Sequence, residues 1–521
     1  MTCIKKIFVM KKILLLILFP YLIFSQNINE IFSNKGEIYF AFKCKNQNLL
    51  NSISKIISLD HNTTNQLAYA YANKKEFKEF LKFGINYKII EKKPVIFSGS
   101  TKSNWNYYPT YQEYVDIMQT FSDSFPTICK THSLTTLNSG REILIVQISN
   151  NVGQKENEPS FLYTSSMHGD ELAGYVLCLR LIDYILKGYG TDPRITNLVN
   201  EIDIWINPLA NPDGTYAGGN QDISMATRYN ANWIDLNRNY PDPQDGPHPD
   251  GNSYQAETNC FLNLADSIKF NLSANIHGGV EVCNYPWDTW SNLTADDNWW
   301  QYVSNEYANL CQTNGNNGYF DDLNNGITNG YDWYEVNGGR QDYMNYFRHC
   351  REITLELSND KIPHPNELSN LWDANYLSLL NYMEQSLFGL RGIVTDSITG
   401  SPLKAKVEII GHDIDSSHVY SNLPIGNYHR YLIQGNYDVT FKKNGYYPKT
   451  INTTIINNNI STKNIQLVPI DISTNSEIKN QPHSQANQII DLLGRKNNAK
   501  KNSIQIITNN QRIIKKQNIL E

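Results

Sequence analysis

Residues 160–187 read SFLYTSSMHGDELAGYVLCLRLIDYILK, and the change of texture inside them decides the fold. The opening run is short, apolar and rich in β-favouring residues, whereas residues 172–187 repeat apolar side chains over about four helical turns. A strand therefore runs into a helix, with the polar tetrad His168-Gly169-Asp170-Glu171 at the junction. The same rhythm continues on both sides. Strand-like runs at 142–148, 202–207 and 272–276 alternate with longer helical segments from about residue 100 to 387. That is the pattern of an α/β domain whose mixed, largely parallel sheet is flanked by helices. Ligands of open α/β sheets bind at the carboxyl edge of the strands, so the tetrad stands where chemistry is expected.

Outside this domain the texture shifts. Residues 27–95 alternate strand-like runs (37–42, 66–71, 87–90) with helix-like ones (49–57, 75–83), which predicts a small α+β domain of βαβαβ form. From 390 to 469 short alternating runs are broken by turn signals such as Gly435-Asn436 and Asn444-Gly445, predicting a small all-β module. Residues 470–487 are polar and read as a linker, and 488–521 form a separate tail. At the other end, Lys5, Lys6, Lys11 and Lys12 precede the apolar run 13–24 and a polar stretch, the order of parts in a secretory signal peptide over residues 1–25. An apolar run this short does not suit a bilayer span of about 20 residues. The expected form is therefore secreted or at the cell surface, with no integral membrane segment after signal removal.

The chain has 521 residues, 45 basic and 51 acidic side chains and a net charge of −6. No excess of cations draws it to phosphate backbones, which sets nucleic-acid binding aside. Once the signal leaves with Cys3, seven cysteines remain, an odd number without a CxxC pair. At least one thiol stays unpaired, and Cys178 in the apolar helical run reads as a buried inert thiol.

His-x-x-Glu is weak by itself, because His349/Glu352 and His364/Glu367 repeat the spacing. His349 and Glu352 fall in a run that reads as a strand, where a three-residue step sends side chains to opposite faces. His364 lies between Pro363 and Pro365 in a loop. His168 and Glu171 alone stand at a strand-to-helix junction. A catalytic zinc site takes three protein ligands and leaves one position for water. His277, which ends the run LSANIH before Gly278-Gly279, is the candidate third ligand. Glu356 is a carboxylate in the otherwise apolar run ITLEL, a costly placement unless it serves as a base beside a metal. Arg228, Asn237 and Arg238 lie among turn-forming residues and suit anion or oxyanion binding.

With these residues assembled, the chain resembles the secreted zinc carboxypeptidases, in particular the regulatory branch related to carboxypeptidases D, E and N. HGDE, NPDG, DLNRNYPD, SANIHGG, NYPWD, NGYDWYEVNGGRQDY and ITLEL occur in the family's order between about 105 and 385. The resemblance implies one Zn2+ per chain on His168, Glu171 and His277, with Glu356 as general base and acid. It also implies that Arg228 steadies the oxyanion, that Asn237 and Arg238 clamp the substrate's terminal carboxylate, and that Tyr334 covers the bound C-terminal residue. Asp288 and Gln341 fall on the positions lining the pocket for the terminal side chain, where a carboxylate favours Lys or Arg. Arg340 is a rival partner for Asp288. The same resemblance makes 390–469 a transthyretin-like domain and leaves open whether 27–95 is a removable inhibitory pro-segment. The tail resembles the sorting segments read by Bacteroidetes-type export machinery. The expected function is removal of single C-terminal residues from peptides or proteins. The alternatives are cleavage of cell-wall peptides ending in diaminopimelate or D-residues, and a catalytically silent surface-binding homologue.

Overall fold

The structure is a computed structural model that describes residues 36–62, 66–91 and 105–470, together with Phe32 and the backbone of strands 488–490, 504–509 and 512–518. The expected signal peptide and most of the linker lie outside the described residues. Residues 470–521 form a unit separate from the rest; within it the three strands pair as an antiparallel sheet.

The N-terminal domain runs β1 (Glu37–Lys43), α1 (Gln47–Ser54), β2 (Ser58–Asn62), β3 (Leu67–Asn73), α2 (Lys74–Phe80) and β4 (Tyr87–Ile89). Its antiparallel sheet has the order β2-β3-β1-β4. Phe40, Phe42, Phe77 and Phe80 fill the space between sheet and helices. The βαβαβ expectation missed β2, and the helix expected over 49–57 ends earlier. The run SLDHN carries neither alternation nor β-branched residues, the two signals that mark a strand.

The central sheet has the order β11-β10-β12-β9-β7-β8-β6-β5. In chain order these strands are β5 (Cys129–Thr136), β6 (Glu142–Ile148), β7 (Ser160–Ser165), β8 (Asp203–Asn207), β9 (Leu272–His277), β10 (Glu281–Tyr285), β11 (Ile327–Asn329) and β12 (Arg351–Leu357). The sheet is mixed: β8-β7-β9-β12 and β10-β11 pair in parallel, while β5-β6, β6-β8 and β10-β12 are antiparallel. Alternation sends side chains to two cores. Leu144, Val146, Phe161 and Tyr163 join one, with α3 (Tyr111–Ser124), α4 (Ala173–Gly188), α5 (Pro193–Glu201), α7 (Asp297–Asn314) and α9 (Leu368–Glu384) over it. Ile143, Ile145 and Leu162 join the other, under α6 (Ala256–Ile268) and α8 (Arg340–Arg348). A sheet covered on both faces explains why β6 and β7 read as continuous apolar runs.

A C-terminal β module follows from β13 (Gly389–Asp396) to β20 (Ile465–Leu467), in two four-stranded sheets around Val394, Val407, Val439 and Phe441. It is tied to the central domain through Asp296. Both oxygens of that carboxylate accept from the Arg430 guanidinium at 2.6 and 3.0 Å, and Oδ2 also accepts from Arg351 Nη2 at 2.7 Å. Beside this knot the rings of Trp299 and Tyr431 stack with centroids 5.5 Å apart.

The seven cysteines among the described residues are buried and free, Cys178 among them as expected. No helix among the described residues is long and apolar enough to cross a membrane. His349 corrects a sequence expectation: it is not in a strand but caps α8 in the left-handed region, φ 55°, with β12 starting two residues later.

Candidate active site

The carboxyl edge of the sheet gathers the candidate residues because two neighbouring strands are amphipathic within a buried layer. In β9, Leu272, Ala274 and Ile276 face the apolar core, leaving Ser273, Asn275 and His277 to the other face. In β12, Ile353, Leu355 and Leu357 do the same, leaving Glu352, Thr354 and Glu356. The parallel register sets Glu352 beside Ser273, Thr354 beside Asn275 and Glu356 beside His277. A polar ladder thus climbs through the sheet and ends at a histidine and a carboxylate. Glu352, low on this ladder, pairs with Arg340 at 2.9 Å, so Arg340 is not the partner of Asp288.

The loop after β7 brings the other two groups. Gly169 is required there, since a Cβ on it would stand 2.4 Å from the carbonyl carbon of Gly214. The Asn211–Thr215 turn is thereby seated against the loop. The Asn211 side chain donates to the carbonyls of Met167 and Tyr229, fastening the His168 loop to the segment carrying Arg228.

His168 Nδ1, His277 Nδ1 and one Glu171 oxygen converge. The two nitrogens are 3.1 Å apart, and Glu171 Oε2 lies 3.0 Å from the first and 2.8 Å from the second. Asp235 Oδ1 sits 3.1 Å from His168 Nε2, which places the proton on Nε2 and turns the Nδ1 lone pair into the cluster. The Asn275 side chain lies 2.7 Å from His277 Nε2. Two imidazole nitrogens and a carboxylate oxygen facing one another are the donor set of a zinc site, and they fit that ion. Burial pushes Glu171 up, but the positive fields of His168, Lys361 and His277 outweigh it and hold the carboxyl well below its usual range. Burial pulls His277 down to about 4, against the pull of Glu171.

Arg228 is buried, its Nε 3.0 Å from Asp235 Oδ2 and its Nη1 3.4 Å from Glu171 Oε1. The Oε2 atom of Glu356 is buried without a hydrogen-bond partner. Burial and the Glu171 charge push this carboxyl well above the ordinary range, against Lys361 and Arg228. Arg238 gives Nη1 to the carbonyl of Asn237 at 2.9 Å, while its buried Nε and Nη2 have no partner. Arg238 borders a cavity of about 240 Å³ that Asp235 and Asn337 also line. The Asn237 side-chain oxygen accepts from Arg340 N, which turns Asn237 toward the segment carrying Gln341.

Asp288 is buried, its Oδ1 accepting from Gln341 Nε2 at 2.9 Å and Asn284 Nδ2 at 3.1 Å. Among the described residues no lysine or arginine forms an ion pair with it, and burial lifts its carboxyl to about 7. Gly330 leaves it room: a Cβ there would fall 1.7 Å from Asp288 Oδ1. Tyr334 is half-buried, and its hydroxyl donates to the carbonyl of Leu59 in the N-terminal domain at 3.2 Å.

The sequence reading missed Asp235, which joins His168 to Arg228, and Lys361, whose Nζ is 2.5 Å from Glu171 Oε1. Asp235 lies in the motif DLNRNYPD, where its neighbours drew the attention. Lys361 follows β12 in a loop, and nothing in its surroundings marks it.

Comparison with known proteins agrees with this geometry. The zinc carboxypeptidase family model matches residues 114–378. Human (Homo sapiens) carboxypeptidase D is 35% identical over 74% of this chain, which spans 29% of that protein's length. The carboxypeptidase N catalytic chain of Mus musculus is 33% identical, covering 66% of this chain and 82% of that one. The crystal structure of carboxypeptidase A from Helicoverpa armigera superposes with a TM-score of 0.53 at 17% identity, covering 68% of this chain and 98% of that one. The last likeness speaks for the fold.

Proposed function

The chain belongs to the zinc carboxypeptidase family, and on that premise we propose that it is a secreted metallocarboxypeptidase removing single C-terminal residues, Lys or Arg by preference, from peptides or proteins. The observation that carries this reading is the set of unsatisfied groups around the His168, Glu171 and His277 cluster. Glu356 Oε2 and two donors of Arg238 are buried without partners, and orphaned buried polar groups are costly unless a ligand completes them.

His168, Glu171 and His277 would hold the zinc ion, which when bound would supply a Lewis acid for the scissile carbonyl and lower the pKa of a water. Glu356 takes a proton from the attacking water and returns it to the leaving amine. Arg228 donates to the oxyanion as charge develops, its guanidinium oriented in advance by Asp235. Arg238 and Asn237 hold the substrate's terminal carboxylate through the free edge of the guanidinium, and Tyr334 closes over the terminal residue.

The basic preference rests on Asp288. A buried carboxylate without a cationic partner is completed by the side chain of a terminal Lys or Arg. Because burial raises the Asp288 carboxyl to about 7, basic substrates should bind more tightly as pH rises through that value, whereas a terminal Phe should show no such dependence. The test is hydrolysis of matched peptides ending in Arg, Phe or diaminopimelate, with and without a zinc chelator, by the chain and by Glu356→Gln and Asp288→Asn. We expect chelator-sensitive release of Arg, lost in Glu356→Gln and at least tenfold weaker in kcat/KM in Asp288→Asn. Turnover of only Phe or wall peptides would sink the Asp288 assignment and keep the mechanism. A zinc-loaded chain without activity on any peptide, freed of its N-terminal domain or not, would sink the enzyme reading.

Residues 1–25 as an export signal, 390–469 as a transthyretin-like domain and 488–521 as a sorting tail complete the proposal. The two four-stranded sheets of the β module support the second.

A further inference from the structure

The guanidinium of Arg340 is linked to the zinc cluster through two intervening side chains. Arg340 opens α8, is 1% exposed, and gives Nη2 to Glu352 Oε2 of β12 at 2.9 Å. Its Nη1 donates to Thr164 Oγ1 on β7. The Thr164 hydroxyl donates to Asn275 Oδ1 on β9 at 2.9 Å, and the Asn275 amide lies 2.7 Å from His277 Nε2. The sheet itself fixes the middle step, because the parallel register sets Thr164 beside Asn275. Every member of the chain is buried.

We propose that Arg340, Thr164 and Asn275 form a positioning relay that fixes the His277 ring for zinc, in the way that Asp235 fixes His168. The inference rests on the zinc carboxypeptidase reading and adds the residues that hold one of its metal ligands. An imidazole aims Nδ1 steadily only when its far nitrogen is fastened. Asn275 meets that nitrogen, Thr164 fastens the amide, and a guanidinium clamped by Glu352 and set 5.3 Å from the Phe261 ring centre fastens Thr164. A hydroxyl carries one donor and two lone pairs, so Thr164 serves the amide in either orientation, including the one that offers Oδ1 to a proton on Nε2. Stability does not account for the buried charges: an ion pair offsets its desolvation poorly, and an apolar pair of similar volume would join helix and sheet as well. The main chain of Arg340 adds a second link. Its N–H donates to Asn237 Oδ1 at 3.0 Å, and the next residue, Gln341, holds Asp288. The first turn of α8 thus sets His277 in register with the residues proposed to hold the substrate's end.

The test measures zinc affinity of the full chain by competition with a chromogenic chelator, and the visible absorption bands of the Co2+-loaded chain, which report ligand geometry. Thr164→Val keeps the shape and removes the hydroxyl, Thr164→Ser keeps the hydroxyl, and the double variant Arg340→Met with Glu352→Gln cuts the relay at its other end without stranding a charge. Asp296→Asn, remote from the relay, controls for lost stability. Thr164→Val should weaken zinc binding about tenfold to a hundredfold and shift the cobalt bands. The double variant should weaken it at least threefold, whereas Thr164→Ser and Asp296→Asn should match the parent. Should Thr164→Val not fold, the double variant decides. Parental affinity and cobalt bands in the cut relay, or equal losses in Thr164→Ser and Asp296→Asn, overturn it. A parent chain that binds neither metal overturns the relay and the zinc reading together. The expected zinc contrast in a chain that hydrolyses no peptide supports the relay and sinks the carboxypeptidase reading alone.

Discussion

The central domain meets a smaller domain on each side, and the two contacts are built differently. The β module is fastened by a buried knot in which one carboxylate bridges two guanidiniums, and its Tyr431 belongs to the same apolar core as the central sheet. The N-terminal domain is held by separate polar ties around a cavity, among them Asp60–Lys361, Glu76–Tyr229 and the partly exposed Lys55–Glu335 pair at 2.6 Å. A shared apolar core with a desolvated charge knot resists separation, because parting it would strand charges and expose apolar surface. Scattered polar ties beside a cavity part with less loss, since water can replace each in turn. One contact is built to resist parting and the other to part at lower cost.

The largest effect expected from this contrast is at Asp296. Its replacement by Asn leaves Arg351 buried without its counter-ion and Arg430 with Asp413 alone, and about 3–5 kcal/mol of stability should be lost. Thermal unfolding would show a lower midpoint for the whole chain, and an unchanged midpoint would break the comparison on the β-module side. Next comes a pH effect on the other contact. Burial lifts the Glu76 carboxyl to about 7, only partly countered by the Tyr229 hydroxyl and the amide of Asn73. A raised acid pKa in the docked state means that docking is strongest below about pH 4.5 and weakens as pH rises through 7, by on the order of 3 kcal/mol. Hydrogen exchange in β2 should therefore speed up across that window, and Glu76→Gln should flatten the dependence. The smallest effect belongs to Lys55→Ala, which removes a partly exposed ion pair and should loosen docking by at most about 1 kcal/mol. A loss several times larger, read from the same exchange experiment, would show that the ties act as one cooperative unit.

The zinc cluster was legible because its residues sit where two strong signals meet, an apolar run ending in a polar junction at His168 and again at His277. Glu356 stood out for a related reason, a carboxylate in an apolar strand, although the structure shows that strand to be two-faced, with Glu352 and Thr354 sharing the polar side. What escaped was set by partners distant in sequence. Asp60 and Lys361 are ordinary surface residues by composition, and only docking of the N-terminal domain makes them neighbours. β2 escaped for the same reason: its polar side chains answer a polar cleft, so no hydrophobic period was needed to place it. His349 was misread because the left-handed stop of α8 is a backbone property that a histidine between helix and strand does not announce.

The seven free thiols carry a consequence for the lifetime of the folded chain under oxidation. Each is buried, and burial raises Cys129 and Cys283 to about 12, so the reactive thiolate of these two is nearly absent while the fold holds. Oxidants could reach these sulfurs only during openings of the core. Oxidative inactivation would then run as a clock set by the frequency of opening.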